Sequence, residues 1–510
     1  MRILIVLVTI IVLVPRTAVV AQQINVLDAG SRSQLLLDPS LVFDAERVSF
    51  SLHPGRKHPQ NPLVVADEPW EGGYVSLFAS TVLFDQSDSF FKMWYTCENN
   101  PEYFADRGIC YATSRDGLTW KKPAVGTRKA RNGKPHNSVL ALGDCPSVFR
   151  DEGDPDPARR YKMIAFDVNR GYMAYVSPDG LNWKEQSAKP VVPISYVDDV
   201  VSAFHDRAAG EFGLLGKLST PVFGRVRRSI YLATSRDFRH WSRPEPAFLA
   251  DRRDDLGTLG RLERVRSLLN VPDNPNVMRT EFYGAGVYLA ESCTIGFPWV
   301  FTISANVPAP GNQEGPIDVQ VALTRDRETW SRPFRTPIIP LGKPGEWDSG
   351  MILTASQAID VGDEVWLYYG GHNHTHGLVA DYKLRDKGQQ KYTGASGLAM
   401  WKKDRFGSAD GPAEGATLTT IPLRFTGTRL EINASTKPEG EVRVELLDAA
   451  GQPLSGFGIS EPIAGDNLRH PVVIPGQKDL ALLAGRSITL RFHLRDASLF
   501  AFAFRSGAKP

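Results

Sequence analysis

The sequence has 510 residues, 42% of them hydrophobic and 23% charged, which excludes a disordered chain and suffices for two or more cored domains. Its 59 basic and 57 acidic side chains leave a formal net charge of +2, and loss of Arg2 and Arg16 with a leader would bring it to 0. A net charge near zero does not call for a nucleic-acid partner.

Residues 1–23, MRILIVLVTIIVLVPRTAVVAQQ, place Arg2 before an apolar run from Ile3 to Val14 and then small residues ending at Ala21. This predicts a secretory leader, residues 1–21, and a secreted or periplasmic protein. The run stops at Pro15-Arg16, short of the ~18 apolar residues a membrane span needs. Export lets cysteines pair, and Cys97 with Cys110 is the expected couple because they bracket one loop between two predicted strands. Cys145 and Cys293 are expected as buried thiols.

After a lead-in segment (22–64), one pattern recurs: an alternating strand, a strand rich in aromatics, then a third strand running into a heptapeptide. The heptapeptides are SRDGLTW (Ser114–Trp120), SPDGLNW (Ser177–Trp183), SRDFRHW (Ser235–Trp241) and TRDRETW (Thr324–Trp330). A fifth unit, GMILTASQAI, EVWLYYGG and ASGLAMWKKDRF, lacks it. Short strands repeated in this way predict an all-β, five-bladed β-propeller over residues 65–409. In the heptapeptide an Asp can accept from backbone N–H groups of its own turn and a Trp can cover the blade edge, so the repeat is expected to be a structural staple. From residue 410 to 510 the strands alternate without the heptapeptide, as an accessory β-sandwich would.

If each first strand runs outward from the central mouth, the loops leading into first strands and those joining second to third strands share one face. The heptapeptides and the acidic loop Asp151–Arg160 then lie on the other. That acidic loop lacks the spacing of a calcium site, so no metal or cofactor is indicated. The segments leading into first strands are EPWEGG, LGDC, YVDD, RTEFYG and GEWDSG, and every one carries a carboxylate. Acids converging on one axis suit glycosidic cleavage, which needs a neutral acid at the leaving oxygen and an ionised carboxylate opposite. The candidates are Glu68 or Glu71, Asp144, Asp198 or Asp199, Glu281, and Glu346 or Asp348. Trp70 and Trp347 are expected as platforms for sugar rings, with Tyr74, Phe282 and Tyr283 nearby. His372, first of the HNHTH run, is expected to hydrogen-bond substrate. Arg225, Arg227 and Arg228 form a basic loop on the same face.

Units built as MWYTC…ICYATSRDGLTW resemble the five-bladed propeller glycosidases of the arabinanase, levansucrase and invertase superfamily, such as glycoside hydrolase families 43 and 32. The resemblance covers about residues 65–410. It implies a carbohydrate substrate and catalytic acids from the first, third and fourth blades: Glu71 as base or nucleophile, Asp199 as the orienting Asp, and Glu281 as general acid. In the first blade EPWEGG stands where those families carry an Asp-Pro motif, which leaves Asp144 and Asp348 as substitutes for the base or nucleophile. Asp144, Trp70, Trp347, Asp348 and His372 complete the expected substrate-binding set. A non-catalytic sugar-binding propeller, a sialidase and a phosphorylase are the rival expectations.

Overall fold

The computed structural model describes residues 26–73, 75–97, 100–104, 107–141, 144–307, 313–377, 394–475 and 479–507. The expected leader and Tyr74 lie outside them. The described residues are overwhelmingly β, with short helices at Arg252–Leu256 and Thr258–Glu263. No helix among them is long and apolar enough to cross a membrane.

Five antiparallel units follow one another. The first pairs Val75–Asp85, Phe90–Cys97, Gly108–Ser114 and Ser138–Ala141 in that order. The second is built on Asp144–Arg150, Tyr161–Asp167 and Gly171–Ser177, the third on Val201–Asp206, Glu211–Val222 and Arg225–Ser235. Arg279–Leu289 pairs with Thr294–Ile303 in the fourth, and Met351–Thr354 with Glu364–His372 and Gly394–Lys402 in the fifth. A parallel bridge between Ile317 and Met351 merges the last two into one sheet. Second strands such as Tyr161–Asp167 and Thr294–Ile303 are buried along their whole length, because both sheet faces meet neighbouring units. That is why they read as near-continuous apolar runs.

First strands of successive units lie beside one another, and the first strand of the fifth returns to that of the first. Small hydroxyls tie this inner ring where no ladder can. Ser147 Oγ contacts the carbonyls of Ala79 and Val201, both at 3.3 Å. Thr81 Oγ1 donates to Pro146 O at 2.9 Å and meets Ser356 Oγ at 2.9 Å.

The heptapeptide acts within its turn and between units. Asp116, Asp179, Asp237 and Asp326 each accept two backbone N–H groups from the residues two and three ahead, at 2.7–2.9 Å. Each turn also docks on the preceding unit. Tyr368 of the fifth donates to Gly117 O (2.8 Å), Trp94 of the first to Gly180 O (2.7 Å), and Gln186 of the second to Phe238 O (2.6 Å). Arg327 ion-pairs with Asp206 and Glu211 of the third. Gly117 is required twice over: its φ is +73°, and a Cβ there would come within 2.7 Å of the Tyr368 hydroxyl.

Burial pushes Asp116 upward, but the N–H groups of Thr119 and Leu118 override it and hold the carboxyl at about 2. A depressed folded pKa stabilises above the unfolded value of ~3.9 and is lost as pH falls toward 2. Asp116→Ala is therefore expected to cost about 1 kcal/mol at pH 7 in urea titrations. Its gap to wild type should narrow between pH ~4 and ~2.

One feature differs from the sequence expectation: the lead-in is not a separate segment. Leu27–Gly30, Gln34–Leu35, Val42–Glu46 and Ser49–Leu52 pair with C-terminal strands, whereas Arg56–Lys57 adds an outer strand to the fifth unit against Ala399 and Met400. Three of those lead-in strands join five C-terminal strands in one eight-stranded sheet, in which Thr489–Arg505 and Arg429–Leu447 are long enough to bind partners along different stretches, while Leu27–Gly30 and Leu423–Phe425 form a separate parallel pair. The C-terminal region keeps its own core, including Leu430, Val444, Phe492 and Phe502. Cys97 and Cys110, the expected couple, are buried side by side with their sulfurs 2.6 Å apart, and Cys145 and Cys293 are buried as expected.

Candidate active site

The acidic loop on the heptapeptide face serves the fold: Asp151 (2.7 Å) and Asp154 (2.8 Å) neutralise the buried Lys162, and Asp156 caps a short 3-10 helix. The opposite ends of the strands, where first strands begin and second strands finish, hold the expected carboxylates. Accessibility divides those acids into two groups. A group that exchanges protons with substrate must be reachable.

Three are buried and occupied, and a fourth, Glu346, is exposed but tied to its own turn. Glu71 is fully buried, accepting from Tyr95 OH at 2.6 Å and Lys122 Nζ at 2.8 Å. Glu281 is 1% exposed. Its Oε1 takes the Arg279 guanidinium at 2.7 Å, and its Oε2 takes Arg228 Nη1 at 2.7 Å and the Arg228 backbone N–H at 3.2 Å. A carboxylate so occupied has no oxygen free to deliver a proton, so the general-acid role expected from the family resemblance does not fit this geometry. Asp348 is buried between Lys57 Nζ (2.6 Å) and Tyr369 OH (2.8 Å). Glu346 closes its own turn onto the Lys343 N–H at 2.8 Å.

Removing the charge from Glu281 leaves two guanidinium groups facing a neutral amide. Glu281→Gln is expected to lower unfolding stability by about 3 kcal/mol. A proton donor at that position would instead lose turnover at unchanged stability, so denaturation and activity measured on one preparation separate the two.

The aromatic and histidine candidates are sorted in the same way. Trp70 is 8% exposed with Nε1 on Asn137 Oδ1 at 2.7 Å, a core position rather than a platform. Trp347 is half-buried and stacks on Tyr369 at 5.4 Å with 20° between the planes. His372 is buried on the last residue of its strand, beneath any surface a sugar could touch.

Glu68 of the first unit is partly exposed, and burial with the nearby Asp67 and Glu71 pushes its carboxyl upward; the other reachable acids lie at the second and third units. The side chains of Asp198 and Asp199 are 43% and 41% exposed, and that of Asp144 is 18% exposed. Cys145, next to Asp144, places its sulfur 3.4 Å from the Asp199 carbonyl, so the second and third units bring these acids together. Asp144 meets Arg107 Nη1 at 3.2 Å. Burial pushes the Asp144 carboxyl above its ordinary range against the pull of Arg107, and the Asp199 charge adds to the rise. Burial would raise Asp199 too, yet the Lys217 ammonium beside it overrides that and holds it below the usual carboxylate range. Two neighbouring acids are thereby driven apart.

Of the residues behind Asp199, the sequence singles out Arg228, Tyr283 and, as the last of the HNHTH run, His376, but not Lys217. Lys217 is fully buried, pairs with Asp199 and lies 3.8 Å from the centre of the Tyr283 ring. Tyr283 OH meets His376 Nε2 at 3.1 Å, and His376 Nδ1 faces Gln313 O at 2.9 Å. A carbonyl opposite Nδ1 requires the proton there, so Nε2 accepts from the tyrosine. Burial lowers His376 to about 4 and raises Tyr283 to about 12, so both are neutral near pH 7. The sequence signal for Lys217 is a lysine inside the apolar run EFGLLGKL. Arg225 and Arg227, from the basic loop, are engaged by Asn276 O and Asp255. No cluster of three or more His, Cys, Asp or Glu with metal-holding geometry occurs among the described residues.

No family model matches the chain, and no curated protein does. Solved structures similar to it include a β-1,2-mannobiose phosphorylase from Listeria innocua (15% identity, TM-score 0.42, 68% of this chain and 96% of that one). Others are a glycosyl hydrolase from Bacteroides ovatus (12%, 0.42, 73% and 98%) and an N-acetylgalactosamine deacetylase from F. plautii (11%, 0.43, 70% and 96%).

Proposed function

We propose that the chain is a secreted glycoside hydrolase, a five-bladed β-propeller acting on an oligo- or polysaccharide at the end of the ring where the first strands begin. Asp144 is the proton donor and Asp199 the ionised carboxylate that serves as base or nucleophile. The observation that carries this reading is the pair itself. Asp144 and Asp199 are both reachable, come from adjacent units, and have surroundings that drive their proton affinities in opposite directions. Glycosidic cleavage needs that division: one carboxyl protonates the departing oxygen, while the other activates water or attacks the anomeric carbon. Trp347, at the segment leading into the fifth unit, supplies an aromatic face for a sugar ring.

This reading moves the acid role from Glu281 to Asp144, and leaves Glu71, Asp348, Trp70 and His372 to the framework. A panel of plant, microbial and host glycans, assayed for released reducing ends with and without inorganic phosphate, tests it. Phosphate-independent release is the expected result. Release that requires phosphate would replace hydrolysis with phosphorolysis, and binding without release would leave a sugar-binding propeller.

A further inference from the structure

We infer that Lys217 is a positioning residue that sets the protonation state and orientation of Asp199; its catalytic purpose rests on the glycosidase reading above. The second strand of the third unit carries it through an otherwise apolar run. Its side chain is 1% exposed, whereas the two carboxylates it serves are among the most open acids at this end of the ring. The ammonium ion-pairs with Asp199 Oδ1 and lies 3.5 Å from Asp198 Oδ2.

The backbone of Lys217 holds the same turn. Its carbonyl accepts the Asp198 N–H at 2.9 Å, and its N–H reaches Val200 O and Tyr172 OH, both at 3.0 Å. Asp198 Oδ1 in turn accepts the Asp199 N–H at 2.9 Å. One residue thus pins the acid pair from below through main chain and side chain together.

Fold stability gives little reason for a lysine here. A buried ammonium must be stripped of water, and a methionine of similar length would fill the space without that penalty. What methionine lacks is a fixed positive charge under Asp199. The other charged or titratable groups facing the ammonium are Arg228 on the adjoining strand, Tyr283 on the fourth unit, His376 beyond the fifth unit's second strand and the buried Cys145 thiol of the second unit, which burial keeps protonated. Arg228 is paired with Glu281, and Tyr283 and His376 are neutral near pH 7, so Lys217 is the cation that answers Asp199 directly.

The test is a carbon-13 titration of the Asp199 carboxyl in the full chain with labelled aspartate, the signal assigned by its loss in Asp199→Asn. In wild type the titration point is expected below the ordinary range. In Lys217→Met it is expected to rise by about one pH unit or more, since an opposite charge in contact shifts a carboxyl by about 1–3 units. Lys217→Arg should restore it, which a space-filling role would not require. If Lys217→Met does not fold, Lys217→Gln carries the same expectation. In parallel the acid limb of kcat/KM should move to higher pH in the Met or Gln variant and return with Arg. A titration point that stays put in a folded variant overturns the inference. A shifted titration point with no turnover of any glycan upholds the coupling and overturns the hydrolase reading, so the two failures are told apart.

Discussion

Asp144→Asn is expected to reduce kcat/KM on natural glycans by about 10²–10⁴-fold, the usual contribution of a positioned general acid. Asparagine keeps the size of the side chain and can still face the partly exposed Arg107, so thermal unfolding should hardly change. What it loses is the proton. The loss should therefore shrink on aryl glycosides whose leaving group departs without protonation, whereas Asp199→Asn should cripple natural and activated substrates alike. The pH profile follows from the same pair. Asp199 must be ionised, so activity rises as pH passes its depressed value. Asp144 must be protonated, so activity falls as pH passes its raised value. A bell with Asp199 on the acid side and Asp144 on the alkaline side is expected, and Asp144→Asn should erase the alkaline limb. Full activity of Asp144→Asn on an unactivated glycan would end the assignment.

Trp94→Ala is expected to destabilise the ring by about 3–5 kcal/mol in urea unfolding, the range for deleting a buried aromatic side chain. The indole has no exposed surface and packs against Tyr111 and Tyr161 at 5.4 and 6.1 Å between ring centres. Its Nε1 also satisfies Gly180 O, the turn of the second heptapeptide, so the substitution leaves a carbonyl unpaired at the joint between the first two units. Trp94→Phe should recover most of the packing and none of the hydrogen bond. If both variants unfold like wild type, the heptapeptide turns do not hold neighbouring units together.

The repeat was legible because its chemistry is local. An Asp that accepts the N–H groups two and three residues ahead needs only its own turn, so SRDGLTW and its three relatives could be read from residue types alone. Alternating and near-continuous apolar strands likewise announce sheets buried on one face or two. The rule that first strands begin at one end of the ring assigns Asp144, Asp199 and Glu281 to one face as an expectation. What local chemistry could not reveal was the partner on the next unit, such as Tyr368 for Gly117 or Gln186 for Phe238, because those contacts join residues 251 and 52 positions apart.

The same limit explains the acids. EPWEGG, LGDC, YVDD, RTEFYG and GEWDSG are equivalent by position, and each could have supplied a catalytic carboxylate. The sequence by itself determined that all-β repeats would bring such acids to one end of a ring. Tertiary structure decided which remain in reach of solvent: Lys122 and Tyr95 close over Glu71, Arg228 and Arg279 occupy Glu281, and Lys57 holds Asp348. Asp144 stays partly exposed and Asp199 more so, with opposed proton affinities, because burial and charge at a point are sums over neighbours that chain order does not specify.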